Sequence, residues 1–190
     1  MRVQKERQYE EYAYVLDYLP EGRYDATSRR REPIIQAIGE SYFTLLELIP
    51  RPNVDISIGE RLYIGKGVRL KVAHVKGRIS YDNLTSTAKS ELSTILERIV
   101  RKKEQFFVDF FNRAGPITTR LHALELLPGI GKKLMWEIIE ERKKKPFESF
   151  EDIAARIPTS DPIKLIVKRI EAELKGNEKY YLFIKRERNE

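Results

Sequence analysis

The apolar residues of this 190-residue chain change their spacing near position 84, and that switch limits the fold more than any other feature. Before it, alternation and runs of β-branched and aromatic residues predict strands. After it, apolar residues recur at steps of three and four and predict helices. A chain patterned this way folds as strands and then helices, an α+β class of two domains, and not as alternating βα layers. Tyr12–Leu19 reads as a strand that breaks at Pro20-Glu21-Gly22, and Ile34–Ile49 as a long strand or hairpin bent at Gly39. Gly59–Gly65 reads as a short strand between glycines, and Leu70–Tyr81 as strands around Lys76-Gly77. Short strands at this spacing predict a small antiparallel β-barrel, OB-like, over residues 1–83.

From Thr85 on, Leu92, Ile95, Leu96, Ile99, Phe106, Phe107, Phe110 and Phe111 mark a long connecting helix over 84–116. It is interrupted at Lys103 and stopped by Gly115-Pro116. Further helices are predicted at 118–126, 132–144, 150–156 and 163–175, within an all-α domain spanning 117–178. Tyr180–Lys185 (YYLFIK) reads as a strand again. A solitary strand needs a sheet to join, so residues 179–190 are expected to return to the β domain.

Charge and composition narrow the function. The chain carries 36 Lys+Arg against 29 Asp+Glu, a net charge of +7 that favours polyanionic partners. Residues 1–83 hold +2 of this and residues 84–190 hold +5, so the helical part is the more basic. With no cysteine and two histidines, thiolate zinc sites, disulfides and a cysteine nucleophile are excluded and no metal site is expected. No apolar run approaches the roughly 18 residues of a membrane span, so no membrane partner and a cytoplasmic location are expected. His74 and His122 each stand alone in the sequence, and no GxxxxGK[ST] phosphate loop occurs. A non-catalytic protein is expected.

The most informative stretch is Leu127-Pro128-Gly129-Ile130-Gly131-Lys132-Lys133. A helix is expected to end at Leu127, a tight turn to follow, and a new helix to begin at Lys132. Gly129 and Gly131 permit backbone conformations closed to other residues and let another backbone approach. The first turn of the second helix leaves N–H groups unpaired at the positive end of its dipole, where a phosphate oxygen fits. Lys132 and Lys133 add charge there, and Arg142-Lys143-Lys144-Lys145 offers further cations.

This stretch resembles the helix-hairpin-helix family of nucleic-acid-binding motifs. The likeness continues through Ile138, Arg142 and the segment Lys145–Ile153, and covers roughly residues 118–156. The turn Ile157–Pro162 resembles a second, degenerate copy that lacks both glycines and brings Asp161. The resemblance implies phosphate contacts by Leu127, Pro128, Gly129, Ile130, Gly131, Lys132 and Lys133. It also implies a K+ or Na+ site near Leu127 and Gly129 as the one cofactor to consider.

Two residues depart from the motif. Met135 stands where a small residue is usual, and Trp136 occupies a normally solvated position. Trp136 reads either as a stacking platform for a base or as a packing residue, and packing is the expectation. In the β domain, Arg29, Arg30, Arg31, Lys66, Arg69 and Lys71 are secondary candidates on the loops, and Tyr12, Tyr14 and Tyr18 share one strand parity. As a whole, the chain is similar to an archaeal family of uncharacterised proteins thought to bind nucleic acid. That likeness implies RNA over DNA, with ribosome- or transcription-associated proteins as further partners. The alternative is an adaptor that docks onto a protein of the archaeal transcription or translation machinery.

Overall fold

A computed structural model describes residues 9–25, 30–158 and 161–185 of the chain. The strands are β1 (Tyr12–Asp25), β2 (Arg30–Gly39), β3 (Leu45–Pro50), β4 (Arg61–Tyr63) and β5 (Val72–Arg78). They form one antiparallel sheet in the order β4-β1-β2-β3-β5. Ala13, Val15, Ile35, Ala37, Leu48 and Val72 are fully buried in a cluster on this sheet. Each Leu, Ile or Val so buried contributes about 1.5–3 kcal/mol.

The closed barrel expected for residues 1–83 is corrected to a half-barrel. The sheet ends at β4 and β5, and β4 offers a ladder of only three residues, Tyr12↔Tyr63 to Tyr14↔Arg61. Strand β1 does not break at Pro20. Leu19 pairs with Ile34 and Arg23 with Glu32, so Pro20-Glu21-Gly22 bulges opposite Pro33. Neither proline can donate to a ladder, and a bulge is where a strand tolerates that loss. Gly22 sits there at φ +61°, with the space for a Cβ filled by Glu32's carbonyl oxygen.

A second register shift, between Val15 and Asp17, undoes the tyrosine stripe. Tyr18 packs against the Ala13–Val15 side while Tyr12 faces Arg61, whose guanidinium lies 3.4 Å from its ring centre. The segment Ile34–Ile49 is the β2–β3 hairpin. Gly39 makes room for Glu10, whose buried carboxylate accepts the amides of Ser41, Tyr42 and Thr44 at 2.8–3.2 Å. Residues 72–78 form one strand and not two, because a bulge at Lys76 keeps Gly77 paired with Glu47 and Val75 with Leu48.

The period switch coincides with a helix start. Buried Gln36 donates to Asn83's carbonyl and accepts Thr85's amide, both at 2.9 Å. Thr85 Oγ1 accepts Ala88's amide and donates to Asp17, capping helix α1 (Ser86–Lys102). Helix α2 (Glu104–Arg113) follows after the break at Lys103. The helix predicted at 118–126 is absent. Residues 116–118 (β6) and 121–122 (β7) form a minimal hairpin, and Ala123–Leu126 a 3-10 turn. β-Branched Ile117, Thr118 and Thr119 disfavour a helix there. Helices α3 (Lys132–Lys144), α4 (Phe150–Arg156) and α5 (Pro162–Lys175) complete the helical region.

The chain divides into two compact units, Met1–Ile95 with Phe183–Glu190, and Leu96–Leu182, with the boundary inside α1. Tyr180–Lys185 is not a strand. After Gly176 ends α5 in the left-handed conformation, the chain is held by α5 itself. Buried Arg169 donates to Tyr180's carbonyl, and Glu173 accepts Leu182's amide at 2.6 Å. Backbone groups engaged this way are not offered to a ladder. The described residues Phe183–Lys185 group with the N-terminal unit without adding a strand to its sheet.

Candidate nucleic-acid interface

Within the second unit, the turn expected to bind phosphate is built as its sequence suggests. Leu127 is fully buried, and its carbonyl accepts Ile130's amide at 3.0 Å. Pro128 occupies the first corner and Gly129, at φ +95°, the second, which is the type II arrangement. Ile130 is buried and anchors the return. Gly129 therefore requires glycine, and its Cβ position lies 3.7 Å from Leu165 of α5.

Gly131 is different. At φ −90°, ψ −178° it is ordinary extended backbone, and no atom lies within 4 Å of where a Cβ would stand. Its expected need for unusual dihedrals is thus corrected: what it contributes is empty space. It is the N-cap of α3 with no capping side chain, and the helix's first internal bond runs from Met135's amide to Gly131's carbonyl. The amides of Lys132, Lys133 and Leu134 precede that bond. The first turn carries no acidic residue.

The lysines at this start are unequal. Lys132 Nζ donates to Arg120's carbonyl at 2.8 Å and to Glu125 at 3.0 Å. Glu125 also accepts His122's amide. That bond first, and Lys132 second, hold its carboxyl below the usual range. Lys133 is 94% exposed, with Glu137 at 4.0 Å. His122 caps the 3-10 turn by accepting Leu124's amide on Nδ1 at 3.1 Å. Burial first, then Arg142's charge, lowers its pKa.

The basic cluster at the other end of α3 does not join the turn. Twelve residues of helix separate Lys144 from Lys132, about 18 Å. Arg142 points inward and donates to Phe111's carbonyl at 3.0 Å, and burial lowers its pKa. Lys143, Lys144 and Lys145 pair with Glu140, Glu141 and Glu148. Arg156 of α4 donates to the carbonyls of Glu141 and Lys145 at 2.6 and 2.8 Å, so the C-terminal end of α3 is covered. Cations there complement the negative end of the helix dipole. The Arg142–Lys145 run thus has a structural use of its own.

Trp136 is 56% exposed, so the expectation that it packs is corrected. Met135, Ile138 and Ile139 form the buried face of α3, and the residue after Met135 turns about 100° away from it. An open groove of about 610 Å³ runs beside it.

In the first unit, Arg29 lies outside the described residues, and Arg30 and Arg31 pair in β2 with Asp25 and Tyr24. Arg69 donates to Gly65's carbonyl and Lys71 to Asp55's, so both brace the 65–71 loop. Lys66 is exposed, 5.8 Å from the ring centre of Tyr9. Among the described residues no group of three His, Asp or Glu is placed to hold a metal, and no helix is long and apolar enough to cross a membrane.

A half-barrel in one unit and, in the other, a turn that seats an uncapped, lysine-led helix define a two-unit α+β protein with an open helix start. Residues 9–185 match the model of the family described as protein of unknown function (DUF655), and the chain belongs to that family. It is 55% identical over 183 residues to the uncharacterized protein MJ0038 of Methanocaldococcus jannaschii, covering 95% of this chain and 82% of that one. The crystal structure of Af1531 from Archaeoglobus fulgidus, a DUF655 protein, aligns with a TM-score of 0.85 at 52% identity. The alignment spans 93% of this chain and all of the other. Both relatives are archaeal.

Proposed function

We propose that this chain is a non-catalytic nucleic-acid-binding protein, with RNA as the favoured polymer. In this reading Leu127–Lys133 is the turn of a helix-hairpin-helix motif whose first helix is reduced to the 3-10 turn Ala123–Leu126, and a backbone phosphate sits on the start of α3. One observation carries it: α3 begins with two lysines, no acid, no cap and open space at Gly131. Helices ordinarily place acids and capping oxygens there. A start that is wrong for stability and right for an anion points to a ligand.

The amides and Lys133 make the first contacts. Lys132, whose side chain is exposed, joins by exchanging Glu125 for phosphate, and Glu125 keeps its bond from His122's amide. The Lys143–Lys145 cluster contributes only to a ligand long enough to follow the helix. In the same reading the half-barrel is OB-like and offers Arg31 and Lys66 as outlying contacts.

Salt dependence tests the proposal. Two to four phosphate contacts predict a log–log slope between about −1.5 and −3.5, and Lys132→Ala with Lys133→Ala flattens it by about one to two units. A flat profile contradicts it. A different place favours the adaptor alternative: Val68 and Leu70 stand 84% and 82% exposed on the braced 65–71 loop. A protein partner held there binds with little salt dependence and is lost with Val68→Ser and Leu70→Ser.

A further inference from the structure

Trp136 is the one tryptophan in the chain, and the proposed phosphate contact gives it no task. Its indole, 56% exposed, forgoes the burial for which tryptophan is usually kept. The groove beside it is lined along α3 by Lys133, Glu137, Glu140 and Lys144, with Arg156 of α4 across from them.

Three features define what fits. First, Trp136 lies five residues beyond Gly131, about 7.5 Å along the helix, so the groove continues from the open start of α3 within one nucleotide's reach. Lys133 belongs to both places. Second, the carboxylates along the groove are matched by cations: Glu137 by Lys133 at 4.0 Å, Glu140 by Lys143 at 2.8 Å, and Glu141 by Arg156 at 3.6 Å. Beyond Lys133, a balanced lining of this kind gives a second phosphate no net attraction and a cationic peptide no unengaged carboxylate. It suits a flat, neutral group that stacks on the indole and offers N–H or carbonyl edges to the charged rim. Third, such a group is available on a nucleic acid only where a base is unpaired, because a base inside a duplex has both faces covered.

We infer that the groove along α3 takes an unpaired nucleobase stacked on Trp136, so that the ligand is single-stranded or carries an unpaired nucleotide next to the bound phosphate. The inference rests on the phosphate reading above and restricts it to one class of nucleic acid.

The lone indole makes the test direct. The full chain is titrated with a labelled single strand of about 12 uridylates, a strand of equal length made of abasic units, and a blunt duplex. Anisotropy of the label reports binding, and tryptophan emission reports stacking. The uridylate strand is expected to bind and quench emission, whereas the abasic strand binds more weakly with emission unchanged. Trp136→Ala weakens the uridylate strand about ten-fold and leaves the abasic strand as it was, and Trp136→Phe restores most of the loss. The exposed position leaves the fold of both variants intact, which thermal melts verify.

Binding of the uridylate strand with unchanged emission overturns the inference while the phosphate reading stands. So does quenching by the blunt duplex equal to that by the single strand. Absence of binding to all three ligands removes both readings. An arginine-rich peptide that quenches Trp136 where the strands do not assigns the groove to a protein.

Discussion

Helices α3 and α5 each begin after a short connection with no acid in the first turn, and they differ in their caps. At α5, Asp161 is the N-cap, its carboxylate accepts Ile163's amide at 2.9 Å, and Pro162 fills the first helical position. At α3, Gly131 caps nothing, and Lys132 and Lys133 follow it. A capping carboxylate contributes a few tenths of a kcal/mol over glycine, and each cation at a helix start costs about 0.3–1 kcal/mol. Lys164 places one cation in the first turn of α5 as well, so the start of α3 gives up about 1 kcal/mol relative to it. Helix α5 also supports the turn before α3: Arg169 of α5 donates to Leu126's carbonyl, and Leu165 lies beneath Gly129. The capped helix holds the turn in place, and the start of α3 has no side-chain cap.

The comparison breaks most severely at Arg169. This guanidinium is almost completely buried and donates to Glu173, Glu178 and the carbonyls of Leu126 and Tyr180. Arg169→Leu leaves Glu173 buried without its cation and is expected to cost about 3–5 kcal/mol in urea unfolding. A cost below about 1 kcal/mol would show that α5 does not support the turn.

The closed start offers a second, smaller break. Asp161→Ala is expected to cost about 1 kcal/mol and to leave nucleic-acid affinity unchanged, because that cap holds no ligand. Loss of affinity without loss of stability would exchange the roles assigned to the two helix starts.

The smallest effect is in pH. His122 is held neutral by burial and by Arg142, so its folded pKa lies below the unfolded value of about 6.5. As pH falls the unfolded chain takes up that proton first. The stability His122 contributes is complete above about pH 6.5 and is lost as pH falls through the folded value. The Leu124 amide, which donates to Nδ1, should shift in the same titration. A Leu124 resonance that stays constant through that range would remove His122 from the turn's support.

Much of this was readable before any coordinates. Glycine at the helix start and the apolar period place α3 at 132–144, and Lys103 marks the α1–α2 break. The Lys133–Glu137, Lys143–Glu140 and Lys144–Glu141 pairs stand at helical spacing, a signal that the expectation of available cations at these lysines passes over. Other features depend on the fold. Glu125 reaches Lys132 across the turn, and Arg156 reaches the end of α3 from another helix. The bulge that separates Tyr14 from Tyr18 is set by pairing with β2 and not by the pattern within β1. For Trp136 apolar size predicts burial, and helix phase decides against it.

The most direct test is Gly131→Asp, which gives α3 the cap that α5 has. The site accepts the side chain, since the backbone is extended and the space is empty. The account predicts an unchanged or slightly higher melting temperature, because a capping carboxylate is added. It also predicts at least a ten-fold loss of affinity for a single-stranded oligonucleotide, because a fixed negative charge then occupies the phosphate's place. A variant that is equally stable and binds with the parent's affinity would contradict the account.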